Sequence, residues 1–212
     1  MHMFRTFVAA LLLGAAFASS ALADDTGDVA GHFQLRLRGI AILPDTSGKV
    51  KAGGIDIGGS THVTKNFVPE VDGTYFLTDH LGLERIAGAA RSSVSHSIAG
   101  HVADASFLPP TLTLQYHFMP DSNTFRPYVG AGVNYTMFFD VKGAYPDTKF
   151  SDNFGWVLQA GVDVPVGDGP YFLNADVKKI FLSTDMTALG GYIRAHTKLD
   201  PWVIGAGAGI RF

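Results

Sequence analysis

The residues that could do chemistry fall into two groups of unequal promise. Ser92, Ser93, Ser95 and His96 bring hydroxyls close to an imidazole, the groups with which a small hydrolase attacks an ester at a membrane edge. Their spacing assembles no triad, so no catalytic residue is assigned and no enzyme is expected. His96 and His101 stand in what reads as a flexible loop, at a separation that fits no metal-ligand pattern; solvated histidines are expected there, and neither a metal nor another cofactor. Gly130-x-Gly132 and Gly205-x-Gly207-x-Gly209 are not phosphate cradles, because no helix follows either. Asn134-Tyr-Thr136 has the form of a glycosylation acceptor but lies inside a predicted strand and reads as chance. The chain has no cysteine, which removes disulfides, cysteine-zinc sites and thiol catalysis. What remains is a set of ten charges, Arg36, Arg38, Glu70, Asp72, Glu84, Arg126, Asp163, Asp176, Lys178 and Arg211, five of each sign.

Those ten share a position in the pattern. Along Trp202–Phe212 the even places hold Trp, Ile, Ala, Ala, Ile and Phe, and the odd places Val, Gly, Gly, Gly and Arg211. A strand sends successive side chains to opposite faces, so one face is apolar and the other small or polar. Leu112, Leu114, Tyr116 and Phe118 alternate in the same way with Thr111, Thr113, Gln115 and His117. Val129 to Met137 alternates with Tyr128 to Thr136, and Phe154 to Val164 with Gly155 to Asp163. Weaker alternation marks Phe33–Arg38, Glu70–Leu77 and Tyr171–Lys178. The run from Leu81 to Ala90 fits least, because Glu84 and Arg85 are adjacent and one must face the apolar side unless a bulge intervenes. A lipid-facing arginine at mid-depth costs about 2–4 kcal/mol; a bulge, a snorkelling side chain or a break in the wall would each accommodate the pair.

Composition agrees with exposure of the apolar face. The 212 residues are 47% hydrophobic and 17% charged, with mean hydropathy +0.18, 25 glycines and a formal net charge of −3. Disorder is excluded by that balance, and nucleic acid has no electrostatic footprint here. Residues 1–23 have a basic start, an apolar run from Phe7 to Ala18 and an Ala21-Leu22-Ala23 site, the form of a cleaved secretory signal peptide too short to span a bilayer. The exported part is then 24–212.

Eight strands result, joined by connections of alternating length: 44–66, 91–110, 140–152 and 183–201 are long, while 78–80, 119–125 and 165–170 are short. An even strand count, long loops on one side, short turns on the other and aromatics near strand ends describe an eight-stranded antiparallel transmembrane β-barrel of the outer membrane of a Gram-negative bacterium, with short periplasmic turns and long extracellular loops. A soluble sandwich or lipocalin-like barrel also alternates, but its inward face is apolar. Ten charges could not fill a soluble core without a severe desolvation cost. Lipid must take the apolar face, and the charges must face the lumen.

Several stretches resemble the OmpW family of small outer-membrane barrels. They are Phe125-Arg-Pro-Tyr-Val-Gly-Ala-Gly-Val-Asn-Tyr135 with Phe138-Phe-Asp140, Leu108-Pro-Pro-Thr-Leu112, Gln159-Ala-Gly-Val-Asp163, Leu199-Asp-Pro-Trp-Val203 and the terminal Phe212. The resemblance spans essentially the whole exported part. It implies a barrel that passes small hydrophobic molecules across the outer membrane by a narrow apolar passage. By position in Gly82-Leu-Glu-Arg-Ile86 it implies a lumen-facing, constricting role for Ile86. Asn174-Ala-Asp-Val177 is followed by Lys178 where the family can place a large aromatic, a departure from a purely apolar gate.

An eight-stranded barrel is only wide enough for its own side chains, so the ten charges would pair across the lumen and plug it. Toward the long loops the inward and loop residues become apolar: Ile40, Ile42, Val68, Ile86, Ile98, Phe107 and Leu108. The expectation is an apolar funnel lined by Ile40, Ile42, Val68, Ile86, Phe107 and Leu108 above a polar plug, with cargo leaving sideways into the bilayer. Proline cannot donate to a ladder, and Pro44, Pro69, Pro109 and Pro110 could weaken the wall there or simply terminate strands. The alternative is a non-conducting structural or surface-interaction barrel. Expected partners are outer-membrane lipids, small hydrophobic solutes and the outer-membrane assembly machinery, the last through the strand that ends at Phe212; nucleic acid is not among them.

Overall fold

The computed structural model describes residues 29–98 and 100–212; the expected signal peptide lies outside them. Eight antiparallel strands form the barrel: Phe33–Leu43, Asn66–Phe76, Leu81–Ala87, Thr111–His117, Arg126–Gly143, Asn153–Pro165, Tyr171–Phe181 and Trp202–Arg211. Each pairs with its neighbour in sequence, and the last pairs with the first, Leu43 opposite Trp202 and Gln34 opposite Arg211. Phe33 and Phe212 complete the seam by exchanging backbone hydrogen bonds of 2.7 and 2.9 Å. The sheet therefore has no free edge over this height, as a spanning structure in lipid requires.

The faces are inverted relative to a soluble barrel. Arg36, Asp72 and Asp163 are fully enclosed, whereas Phe154, Trp156 and Leu37 are 74%, 72% and 61% exposed. Alternation persists through the difficult third strand with no bulge. Glu84 faces inward, opposite Thr74 and Thr113; Arg85 faces outward, opposite Gly73 and Leu112. Arg85 sits within the strand, next to the chamber-lining Ile86, and its long stem can carry the guanidinium toward the headgroups.

Short turns close one end. Val166 N–H donates to the Tyr171 carbonyl at 2.9 Å, with Gly167 in the left-handed region that its turn requires. The other end differs from the expected loops, because much of 44–66, 91–110 and 183–201 is strand. Ser47–Ala52, Ile193–Lys198, Ser183–Ala188 and the short Lys149–Phe150 form one extracellular sheet with Ile55–Asp56. Thr61–Val63, Ala90–His96 and Gly100–Leu108 extend the barrel sheet on the opposite flank. Backbone groups in such long excursions need partners, and pairing the excursions with one another supplies them.

Close strand approach depends on glycines in the inward rows. A Cβ on Gly207 would lie 2.0 Å from the Leu37 carbonyl oxygen, and one on Gly132 2.0 Å from that of Leu112. The obstacle in both cases is backbone, which cannot swing aside. Gly207→Val or Gly132→Val should therefore destabilise the barrel by about 1–3 kcal/mol or block closure outright, seen as loss of the heat-dependent shift in gel mobility that folded barrels show.

Candidate functional site

The lumen divides into two zones. In the lower zone Arg36, Arg38 and Lys178 bind all five inward carboxylates. Arg36 Nε lies 2.7 Å from Asp72, its Nη2 3.1 Å from Glu84 and its Nη1 3.6 Å from Asp163. Arg38 Nη2 reaches Asp72 at 2.7 Å and Glu70 at 2.8 Å, and Nη1 reaches Asp176 at 3.4 Å. Lys178 Nζ bridges Asp176 at 2.7 Å and Glu70 at 3.1 Å. Arg126 and Arg211 lie at the periplasmic end and donate to uncharged oxygens instead, Arg126 to the Ser122 carbonyl and Arg211 to Gln34 and the Pro120 carbonyl.

Amides and hydroxyls that the search for charges passed over add further contacts, while Arg38 Nε and His117 Nδ1 keep no hydrogen-bond partner. Gln34 donates to Asp163 at 2.7 Å, Thr113 to Glu84 at 2.7 Å, Gln159 to Asp176 at 2.8 Å, and Asn174 to Asp163 at 2.7 Å. Tyr128 donates to Asp176 at 3.0 Å, and its ring lies 5.2 Å from the Arg36 guanidinium carbon. All share the inward parity of the charges, which was the signal available for them.

Above the plug the lumen turns apolar. A cavity open toward the long-loop end is lined by Ile40, Ile42, Val68, Ile86, Phe107, Phe138, Phe150, Ile180 and Val203, among others, and reaches down to Glu70 and Lys178. Leu108 is not in its lining: it follows Phe107 on a strand, so its side chain takes the other face. Ile98 is 65% exposed at a hairpin tip. A second, upper cavity shares Val63, Val94, Phe150, Thr184 and Leu199 with the first. Phe150, stacked on Phe138 at 5.5 Å, thus stands between the two chambers; it belongs to a two-residue strand inside a stretch that reads as loop. His96 is buried and lines the upper chamber rather than standing in a solvated loop, while His101 is exposed on a strand.

The wall of the lower chamber is weakest at one place. Ladder pairing between the second and third barrel strands ends at Val71 opposite Ala87 and resumes only beyond, where Thr64 N–H meets the Ser93 carbonyl. Pairing between the third and fourth strands ends at Ile86 opposite Thr111. Gly88 and Ala89 therefore have no ladder partner on either side. Their neighbours across the two seams are Pro69 and Pro109, and Gly88, Ala89 and Pro109 all line the cavity. Both flanks are proline, which has no N–H to give.

A closed barrel with a lipid-facing apolar belt and an ionic lumen is a small outer-membrane β-barrel. The sequence matches the OmpW family over residues 29–212, and the chain belongs to that family. It is 35% identical to outer membrane protein W of Escherichia coli over 221 residues, covering 97% of this chain and 98% of that protein. It is 29% identical to the dibenzothiophene metabolism operon protein PahQ of Pseudomonas aeruginosa, covering 79% and 82% of the two chains. Among solved structures, the outer membrane protein OprG of Pseudomonas aeruginosa superimposes with a TM-score of 0.79 at 31% identity, covering 89% of this chain and 99% of that one. The protein resides in the outer membrane of a Gram-negative bacterium.

Removing one partner from a buried ion cluster strands the others. Arg38→Met leaves Glu70, Asp72 and Asp176 short of a cation and should cost about 3–5 kcal/mol, read from urea unfolding in lipid vesicles. Adding Asp72→Asn to that variant should recover part of the loss, because it removes one uncompensated charge.

Proposed function

We propose that the protein admits small apolar molecules from outside into the chamber lined by Ile40, Ile42, Val68, Ile86 and Phe107, and releases them sideways into the outer-membrane bilayer. The observation that carries this reading is a greasy chamber that ends blindly on ions. An apolar solute gains by entering it and loses by going further, because paired charges offer an apolar surface nothing and displacing the ion pairs costs about 3–5 kcal/mol, as for any buried charge left unpaired. The seam at Gly88 and Ala89 is the exit, since separating strands there breaks no backbone ladder. Ile86 stands beside that seam and Ile42 above it in the chamber wall. The name of the relative PahQ, which ties that protein to dibenzothiophene metabolism, fits an aromatic, apolar cargo.

The role proposed is passage without chemistry. Ser93 gives its hydroxyl to Asp104 and Ser92 receives the Asn66 amide at 2.5 Å, so neither is arranged with an imidazole as a nucleophile is. Phe212, paired to the first strand, is the residue through which the assembly machinery would engage the last strand. A purely structural or surface-interaction barrel would not need an apolar chamber opening toward the outside.

Reconstitution in liposomes tests the reading. The barrel should speed entry of an apolar dye and leave a hydrophilic dye at background. Ile42→Asp and Ile86→Asp should each lower apolar entry by about tenfold or more, because a carboxylate enters the greasy path, at unchanged barrel yield. Unchanged entry would remove both residues from the path. The chain has no cysteine of its own, so a Pro69→Cys, Ala89→Cys pair, both on the outward face and opposite each other when the register of Val71 and Ala87 is continued, can staple the seam selectively. Oxidation should halt delivery to the bilayer and a reductant restore it; delivery that ignores the staple would place the exit elsewhere.

A further inference from the structure

Charge is distributed unevenly around the extracellular part of the wall. The sheet built from Ser47–Ala52, Ile193–Lys198, Ser183–Ala188 and Lys149–Phe150 turns Val50, Met186 and Ala195 toward the upper chamber. Its outer face exposes Lys49, Lys51, Lys149, Arg194, His196 and Lys198. Register sets these side by side. Arg194 lies opposite Lys51 on one flank and Thr187 on the other, and Thr187 in turn lies opposite Lys149. His196 lies opposite Lys49, and Lys198 opposite Ser47. Directly opposed like charges weaken a sheet, and Lys51 facing Arg194 is such a pair. Of the acids nearby, Asp185 is engaged by His196 at 2.7 Å, and Asp56 stands opposite Lys51 at the tip.

The opposite flank is neutralised from within. There Arg91 approaches Asp104 at 3.9 Å and Asp140 at 3.8 Å, and His101 approaches Asp104 at 3.9 Å. The Ser93 hydroxyl donates to Asp104 and holds its carboxyl below the usual range, so the acid stays charged for its partners. The contrast makes the lysine and arginine face a local surplus rather than a general property of the extracellular surface.

Placement says what the surplus faces. The same strands enter the bilayer through Phe154, Trp156, Phe181 and Trp202, all exposed, with Lys179 Nζ 5.0 Å from the Trp202 ring centre. Such a girdle marks the membrane interface. The basic rows rise directly from it, Lys198 lowest, then Lys49 and His196, then Lys51, Arg194 and Lys149. We infer that this face docks the phosphate groups of anionic lipid headgroups in the outer leaflet that surrounds the barrel. Lysine supplies point charges and arginine a two-pronged donor, the pair of chemistries that phosphate recognition uses, and a basic cluster immediately outside a membrane interface draws anionic headgroups. The inference is independent of whether the chamber conducts.

The chain's two tryptophans, Trp156 and Trp202, both lie in the girdle, so intrinsic fluorescence of the full-length protein in detergent reports on lipids that settle there. The probes are lipid A carrying both phosphates and the same lipid with its phosphates removed. The bisphosphorylated lipid should bind at least about tenfold more tightly. The combined variant Lys49→Gln, Lys51→Gln, Arg194→Gln, Lys198→Gln should lose that preference, and Arg91→Gln on the other flank should keep it, with both variants retaining the heat-dependent gel mobility of a closed barrel. Equal binding of the two lipids by the unaltered protein, or an undiminished preference in the combined variant, overturns the inference. So does displacement of the lipid by millimolar inorganic phosphate, which would make free phosphate the ligand. Binding of dextran sulfate that the combined variant abolishes while its lipid preference survives would assign the face to a soluble polyanion instead, and would equally overturn it.

Discussion

The buried ion network is the constraint on which the rest depends. Three cations meet five carboxylates in a lumen without water-exposed atoms at its centre, and several contacts link strands far apart in sequence, such as Arg38 with Asp176 or Gln34 with Asp163. An isolated charge there would be prohibitive, so the members must be present together and in register. Register in turn is set by parity: slipping any strand by one residue would send its charges into lipid and its leucines into the network. The plug and the lipid belt therefore specify each other.

That coupling also explains why the apolar chamber sits where it does. The inward row of the first strand runs Gln34, Arg36, Arg38, Ile40, Ile42, and that of the second runs Val68, Glu70, Asp72, Thr74. Both change character at the same height, because Arg38 lies opposite Glu70 and Ile40 opposite Val68. The seventh strand changes between Lys178 and Ile180, at the level where Lys178 faces Val203. A boundary shared by separate strands is a property of the assembled barrel, and it produces a chamber with apolar walls and an ionic floor.

Much of this was legible in the sequence, for a definable reason. Period-two alternation over ten or so residues is a strong signal when one face meets lipid, and it located all eight spans and the facing of the charges. Adjacent Glu84 and Arg85 were ambiguous only because parity must place one of them in the wall; the structure keeps parity and gives the wall to Arg85. The extracellular strands were not legible. Ser47–Ala52 carries a single large apolar residue, Val50, on its inner face, and Lys149–Phe150 is too short to alternate at all. Leu108 was legible after all: parity counted back from Thr111 through the two prolines puts Phe107 inward and Leu108 outward, against the funnel position expected of it. The unpaired stretch at Gly88 and Ala89 depends on where two neighbouring ladders stop, which is information held by three strands together and by none of them alone.

Phe212, just beyond the eighth strand, seals the wall. Phe33 and Phe212 exchange hydrogen bonds, and Arg211 reaches across to Gln34 at 3.1 Å, contacts that span nearly the entire chain. Contacts of such long sequence separation are slow to find, since loop closure must precede any reward. The outer edge of the first strand therefore stays without its ladder partner until the eighth strand has arrived. A polypeptide in that condition exposes an unpaired strand edge that invites aggregation, so losing Arg211 and Phe212 would be felt in how much barrel closes before it could be felt in what the finished barrel does.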